Sequence, residues 1–580
     1  MKTRWFFLLV LALSVGAAMA QNEIWARRYN GPGNHFDRVA AMALDTAGNV
    51  HVTGPAYPAG SQTNQNYVTI KYSPDGNELW LSTFSLNDND YPSAIAVDTS
   101  GNVYVSGSSG TVKYNSAGAQ QWNRQPGGAI ALDALGNIVI VGSSASEAAL
   151  WKYSPNGTLQ WARTFDAPGT GSDGLSAVAI DATGSVYAAG IRNRVHDEAA
   201  SDFLVVKFTS AGAYLWDGFF AGAGNLGDWA AAIELDNNGN PVVAGNANVD
   251  AFSPAGDVAV AEFNRTTGVE SWHDVYDGPD HLWDAAADLA MDSAGNSIVA
   301  GYTEKAATGS DYLTIKNGPG GARLWARTFD GGASAFDTAR GVTVDQADRV
   351  YVTGGAVRMA GQAPDYCTVK YEPNGPLKWV RRYDGPADDL DEASSVLIDW
   401  LGNVLMAGES YGVGTVGDFA TVKVGQSMAS NVSTISVGPG VLESGSFFEL
   451  LSSDSQYLVC RPGIVFNNSI PPLQITVEGT ATPETTSLLS FRVEGHTTST
   501  NIVQRIYLFN FETDEFVLFD TANTTLSDSV REVAVGGTSS EYIQFITRRM
   551  RAKITYKTAG PVFSFPWRAR LDHVAWGNTP

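Results

Sequence analysis

Seven aspartates occupy one fixed place in a repeated frame: Asp37, Asp90, Asp173, Asp228, Asp284, Asp337 and Asp391. Each stands eight residues before a second aspartate that opens a tight turn: Asp45, Asp98, Asp181, Asp236, Asp292, Asp345 and Asp399. One copy departs, with Gln125 ahead of Asp133. Carboxylates repeated in this way can do two things. As braces, each accepts backbone N–H bonds and locks its unit to a neighbour. As an acidic funnel, they attract divalent cations or basic ligands, with Tyr91, Trp229 and Trp283 beside them as aromatic contacts. Crowded carboxylates repel one another unless they are hydrogen-bonded or neutralised, so the funnel reading brings a divalent cation such as Ca2+ with it. No other cofactor is expected.

Other motifs point away from catalysis. "GESYG" at 408–412 has the form of a nucleophile elbow around Ser410, which needs a strand before it and a helix after it. The following "VGTVGDF" does not begin a helix, and Gly408 is a glycine that the frame repeats elsewhere. The seven histidines (35, 51, 196, 273, 281, 496, 573) show no i,i+4 pair and no neighbouring cysteine, which argues against zinc. The "D-x-x-G-N" turns lack the further oxygen ligands of a calcium loop and read as capped turns. No catalytic residue is assigned.

The frame itself dictates the elements. "LDTAGNVHVTG" at 44–54 returns seven times, always with glycine nine residues after the turn aspartate: Gly54, Gly107, Gly142, Gly190, Gly245, Gly301, Gly354 and Gly408. Alternating apolar runs flank each turn, as a hairpin requires. A third alternating run follows, such as "NYVTIKYS", then a turn such as "SPDG", then a run holding a tryptophan. The tryptophans are Trp25, Trp80, Trp122, Trp161, Trp216, Trp272, Trp325 and Trp379. Four antiparallel strands per repeat predict a β-propeller with eight blades. The eighth copy stops at Gly425 without its tryptophan strand, whereas "NEIWARRY" near the start is such a strand without the other three. Pairing the two closes the ring and removes both free edges.

"AIAVDTSGNVYVSG" followed by "YVTIKYSPDGNELW" resembles the SBBP-type β-propeller repeat of exported bacterial proteins, over residues 21–425. The resemblance implies fold and secretion; it brings no agreed activity and no catalytic residues. "SPDGNELW" is also similar to the tryptophan-docking segments of quinoprotein propellers, which reflects shared blade mechanics without the cysteines or ligands of that cofactor.

Loop lengths locate a working face. The loop into each blade and the loop between its second and third strands fall on one side, where "PAYPAGSQTNQN" and "IRNRVHDEAASD" lie, opposite the tight "DTAGN" and "SPDG" turns. Tryptophan spacing shrinks from 55 to 42 and 39 in the second and third blades, which predicts a notch in that rim.

Beyond about Ser430 the frame vanishes. "STISVGPG", "LQITVEG", "LLSFRVEG", "VQRIYLFNF", "EFVLFD", "REVAVGG", "EYIQFIT", "RAKITYK" and "WRARLDHVAW" predict a β-sandwich, jelly-roll-like or Greek-key, resembling accessory modules of large secreted proteins. "MKTRWFFLLVLALSVGAAMA" has the charged start, apolar run and A-x-A end of a secretory signal. The expected division is therefore 1–20 signal peptide, 21–425 propeller, 426–430 linker and 431–580 sandwich. Net charge is −23, which repels nucleic acid and anionic membranes, and no stretch after the signal predicts membrane insertion. Cys367 and Cys460 read as two buried free thiols. A monomeric protein, secreted to the extracellular space or periplasm, is expected to bind or scaffold an extracellular protein or glycan without catalysis. The alternative is a polysaccharide-active enzyme with carboxylates at the propeller mouth.

Overall fold

The computed structural model describes residues 23–579 except 62, 87–88, 168–170, 194–200, 224–226, 250–255, 333–334, 388, 401, 426–431, 445–456, 464–469, 481–487, 536–538, 545–548 and 559–566. The predicted signal segment lies outside the described residues. Two compact units emerge, Glu23–Gln426 and Ser427–Asn578.

In the first unit every repeat makes one four-stranded antiparallel sheet. Blade 1 is Ala41–Leu44, Val50–Ala56, Asn66–Tyr72 and Glu78–Phe84. Its first turn shows why the frame aspartate is needed: Asp45 Oδ1 accepts the N–H groups of Ala47 and Asn49 at 3.0 and 2.9 Å, while Gly48 takes φ 77°. The second and third strands are buried almost throughout, because neighbouring blades cover both faces. The innermost strands pack side by side in a ring, the last against the first.

Closure follows the sequence expectation. Blade 8 consists of Asp391–Ile398, Val404–Tyr411, Gly417–Val424 and, as its outer strand, Glu23–Tyr29. Trp25 lies opposite Lys423 and Tyr29 opposite Phe419. The fold is thus an eight-bladed propeller closed by an N-terminal strand.

Adjacent blades are joined by a repeated tryptophan contact. The indole N–H of Trp25 donates to Pro74 O, Trp161 to Ser210 O, Trp216 to Arg265 O and Trp325 to Pro373 O, at 3.0–3.1 Å in each case. The ring lies against the left-handed glycine of the next blade's turn. At Gly212 (φ 79°) an added Cβ would lie 2.7 Å from the Trp161 ring. Only glycine satisfies both the backbone and the contact.

The second unit is a sandwich of two five-stranded sheets. One contains Val432–Val437, Leu473–Thr480, Arg549–Thr558, Ile502–Asn510 and Glu515–Asn523, in that spatial order. The other contains Val441–Ser444, Leu458–Arg461, Ala569–Thr579, Leu488–Thr497 and Ser529–Val535. Leu473, Ile475, Phe491, Ile506, Ile554 and Trp576 meet in its core. One predicted strand fails. "EYIQFIT" begins inside a 3-10 turn, Ser539–Tyr542, whose Glu541 carbonyl accepts the Phe511 N–H, and its end lies outside the described residues. Cys367 and Cys460 are free and buried in the cores of their own units, and burial pushes both thiols up to about 12.

The tryptophan contact is testable with two glycines of like conformation. Gly60 has φ 76° and nothing within 4 Å of a new Cβ. Gly60→Ala should cost only the left-handed penalty, about 1–2 kcal/mol. Gly212→Ala adds overpacking against Trp161 and should cost about 3 kcal/mol or more. Denaturant melts check this; equal losses would disprove the tight fit.

Candidate functional site

The seven frame aspartates are buried, with 0–4% exposure. In four blades one carboxylate joins two strands through the same pair of backbone donors. Asp37 Oδ2 accepts Gly31 N–H at 2.5 Å and its Oδ1 accepts Tyr57 N–H at 2.9 Å. Asp173 takes Ala167 and Asn193, Asp228 takes Gly222 and Asn248, and Asp337 takes Gly331 and Val357. The first donor is six residues back, on the loop leaving the preceding blade. The second is twenty residues on, at the end of the blade's own second strand. Asp284 and Asp391 accept from Gly278 and Gly385 in the first way, and Asp90 accepts from Leu86, four residues back. Burial raises Asp37 and Asp284 to about 6, while the backbone donors pull each carboxyl the other way.

The open acidic funnel is therefore corrected. These carboxylates lie beneath the rim and are held by amides; they do not form a solvated ring at the mouth. Gln125 of blade 3 is exposed. Of the three aromatics, Tyr91 is exposed at the mouth, whereas Trp229 and Trp283 are half-buried with ring centroids 6.4 Å apart. The braces do place the entry loops and the second-to-third-strand loops on one face, and blades 2 and 3 have the shortest such hairpins, Gly107 to Gly110 and Ser144 to Glu147. The blade 4 loop at 194–200 lies outside the described residues.

The residues that do line the mouth come from the columns beside the braces. A cavity of about 460 Å³ is walled by Arg38, Tyr91, Pro92, Ser93, Arg340, Glu392 and Glu409 among others. That size suits a small ligand or a short segment of a polymer. Arg340 Nε donates to Glu392 Oε1 at 2.8 Å, and Thr338 Oγ1 donates to the same oxygen at 3.0 Å. Glu409 is pushed up to about 7 by burial and by the Glu392 charge, with Arg38 and Arg340 opposing. The mouth thus carries two guanidinium groups and two carboxylates, of which Glu409 titrates near neutrality.

Deeper in the channel, a second cavity of about 440 Å³ is lined by Met42, Glu234, Asp288, Ala290, Thr343 and Leu397 among others. Asp288 is half-buried and bridges blades, accepting Val342 N–H at 2.9 Å and Leu289 N–H at 2.9 Å. Glu234 is reached by water in the channel, yet enclosure and the Asp288 charge raise it to about 7. The frame held a signal for both residues. Glu234 falls in a column otherwise filled by Ala43, Ala96, Ala131, Ala179, Ala290, Thr343 and Leu397. Asp288 falls among Ala41, Ala94, Ala129, Ala177, Ala232, Gly341 and Ser395. A single acid in a column of uncharged residues marks a place where the repeat has been broken.

Residues 65–311 match the family described as outer membrane protein assembly factor BamB. The uncharacterized WD repeat-containing protein L264 of Acanthamoeba polyphaga mimivirus is 22% identical over 378 residues, covering 58% of this chain and 26% of that protein. This chain therefore spans about a quarter of that relative's length. Among solved structures, quinohemoprotein alcohol dehydrogenase from Comamonas testosteroni aligns over 74% of this chain and 80% of its own, with 11% identity and a TM-score of 0.45. The Neurospora crassa Pan2 WD40 domain aligns over 67% and 88%, with 10% identity and a TM-score of 0.32. With eight four-stranded sheets in a ring and this family match, the chain is a β-propeller repeat protein.

The titration of Glu234 gives a test of the channel's electrostatics. Its pKa is raised from 4.5 to about 7, so the folded chain binds this proton more tightly than the unfolded chain. The associated stability is full below pH 4.5 and is lost as pH rises through about 7. Glu234→Gln should melt above wild type at about pH 8, by no more than about 1 kcal/mol because water screens the group. The two should converge at about pH 4.5. Coincident melts at the higher pH would show that the carboxylate is not strained.

Proposed function

We propose that this protein is a non-catalytic propeller of the SBBP type that binds or scaffolds an extracellular protein or glycan. The observation that carries the reading is the channel-mouth cavity. It combines exposed Arg38, Arg340 and Tyr91 with Glu392 and Glu409, on the face where the loops are longest. Guanidinium groups and an aromatic ring recognise carboxylates, hydroxyls and sugar faces without needing a reaction. The matching family is described as an assembly factor, in keeping with a binding role. Export follows from the signal-like first twenty residues.

One observation favours the enzyme alternative. Glu409 and Glu392 share one cavity, and burial together with the Glu392 charge raises the Glu409 carboxyl to about 7, as a general acid beside a partner carboxylate requires. Both readings use the mouth, so one experiment separates them. A glycan and peptide array probed with the full chain should identify a ligand whose affinity falls at least tenfold in Arg340→Ala and Arg38→Ala, with melting unchanged. Binding untouched by either substitution would move the site elsewhere. Turnover of an arrayed glycan that Glu409→Gln abolishes would replace binding with hydrolysis.

A further inference from the structure

We propose that the outer face of the sandwich sheet built on Arg549–Thr558 binds a linear acidic polysaccharide. The site belongs to the second unit and does not depend on what the channel mouth binds.

Alternation decides which side chains reach that face. Met550, Ala552, Ile554 and Tyr556 point into the sandwich core, so Arg549, Arg551, Lys553, Thr555 and Lys557 point outward. The neighbouring strand divides in the same way, with Ile506 and Leu508 in the core and Arg505 and Tyr507 outward. Arg505 stands opposite Thr555, and so fills the one uncharged step in the row. Five cations thus follow one strand line from Arg549 to Lys557, over about 27 Å of extended chain.

Counter-charge is scarce along this row. Eleven lysines and arginines and fourteen aspartates and glutamates follow residue 431. Yet among the described outward residues of this sheet the five cations meet one carboxylate, Glu478. That carboxylate is shared: its Oε1 accepts from Arg551 Nε at 2.7 Å, and its Oε2 lies 3.9 Å from Arg549 Nε. Exposed Arg505 and half-buried Lys553 form no ion pair among the described residues. Lys553 Nζ lies instead 4.6 Å from the Tyr507 ring centre and 4.1 Å from that of Phe516. The Arg551 guanidinium lies 5.0 Å from the Phe509 ring centre. Aromatic faces hold these charges in place without neutralising them. Burial lowers the Lys553 pKa, and no carboxylate opposes the shift.

The rest of the face selects the kind of polyanion. Gln474 and Thr476 flank the row opposite Thr555 and Lys553, with Ser436 beyond Thr476 and Thr434 beyond Glu478. Their amide and hydroxyl groups match sugar hydroxyls, while guanidinium forks match carboxylate or sulfate. On the other flank Tyr507 faces Leu518 and Phe509 faces Phe516, an apolar border. The net charge of −23 does not cancel the local field, because exposed charges beyond about 8–10 Å are largely screened at physiological salt. Export, as proposed above, brings the chain to acidic polysaccharides and not to nucleic acid.

Calorimetry on the full chain tests this, with polygalacturonate as the probe and the same polymer with its carboxyls methyl-esterified as the neutral control. The acidic polymer should bind at about 0.1 M NaCl and at least tenfold more weakly at about 1 M, as the Debye length falls from about 10 to about 3 Å. Arg505→Gln and Lys553→Met should each weaken binding about threefold, the scale of one exposed ion pair, and about tenfold together. Arg505 is exposed, and methionine keeps an unbranched stem against the rings, so both variants should melt like wild type. Absence of binding at about 0.1 M NaCl would overturn the proposal. So would equal affinity for the esterified polymer, or wild-type affinity in the doubly substituted protein. A DNA duplex that displaces polygalacturonate at equal charge would make the face a nucleic-acid surface and overturn it as well.

Discussion

The ring depends on an indole laid across a glycine. Trp25, Trp161, Trp216 and Trp325 are 5–7% exposed, although each sits on the outermost strand of its blade, where a strand would otherwise face water. An aromatic of this size buries about 150–250 Å², which at about 25 cal/mol per Å² amounts to some 4–6 kcal/mol as an upper bound. The indole hydrogen bond adds about 1 kcal/mol. Burial therefore supplies the attraction and the hydrogen bond supplies the direction. The glycine is what lets the ring come close enough, and its left-handed backbone is what turns the chain back under it. Lys207 reinforces the Arg265 O that Trp216 uses, at 2.7 Å, and in the other three contacts a lysine likewise reinforces the tryptophan's carbonyl: Lys423 on Pro74 O, Lys152 on Ser210 O and Lys316 on Pro373 O, at 3.1–3.2 Å. Each of these last three lysines also pairs with its own blade's turn aspartate, Asp399, Asp133 or Asp292, at 2.7–2.8 Å. A buried ion pair adds little net stability, but breaking one is costly, so these pairs fix which neighbour a blade accepts.

The repeat also explains where function has room. A residue type fixed by the frame is committed to holding blades together, and the seven aspartates show this most clearly. Their carboxylates look reactive in the sequence and are spent on backbone amides in the structure. Chemistry is left to places where the frame is broken. Glu234 and Asp288 enter columns of uncharged, mostly small residues. Arg38, Tyr91 and Glu392 share a column, the residue after each brace, that the frame does not constrain. In each case the informative feature is a departure measured against seven copies of the same unit.

That is also why the propeller was legible in the sequence and the sandwich less so. A fixed spacing from turn aspartate to strand glycine, repeated eight times, leaves little choice of register, and the unpaired strand at the start follows from counting. In the sandwich no copy calibrates another. Val441–Ser444 is four residues, all exposed, and Leu458–Arg461 is four residues, too short for alternation to stand out. "EYIQFIT" alternates well enough for a strand, yet tertiary contacts claim its start for a 3-10 turn. The aspartate column was legible as a column, but its role was not. The donors six residues back and twenty on carry no side-chain signature, because they are backbone N–H groups that any residue other than proline supplies.

The two short blades show that the brace and the loop are one device. The second donor must sit where the second strand ends, so shortening the hairpin between strands two and three moves it. In blade 2 the residue twenty beyond Asp90 is Gly110, already on the third strand. Asp90 there takes the hydroxyl of Ser109 in place of a backbone N–H. In blade 3 the residue twenty beyond Gln125 is Ala145, inside the hairpin tip, where Ala145 and Ser146 both take positive φ, 50° and 72°. Such a two-residue turn costs its non-glycine residues something, about 1–2 kcal/mol each. It leaves no strand-end amide for a carboxylate to hold. An unpaired aspartate buried there would be a liability, and the position carries an exposed glutamine instead. The lost carboxylate and the lowered rim thus have one cause, the length of a hairpin.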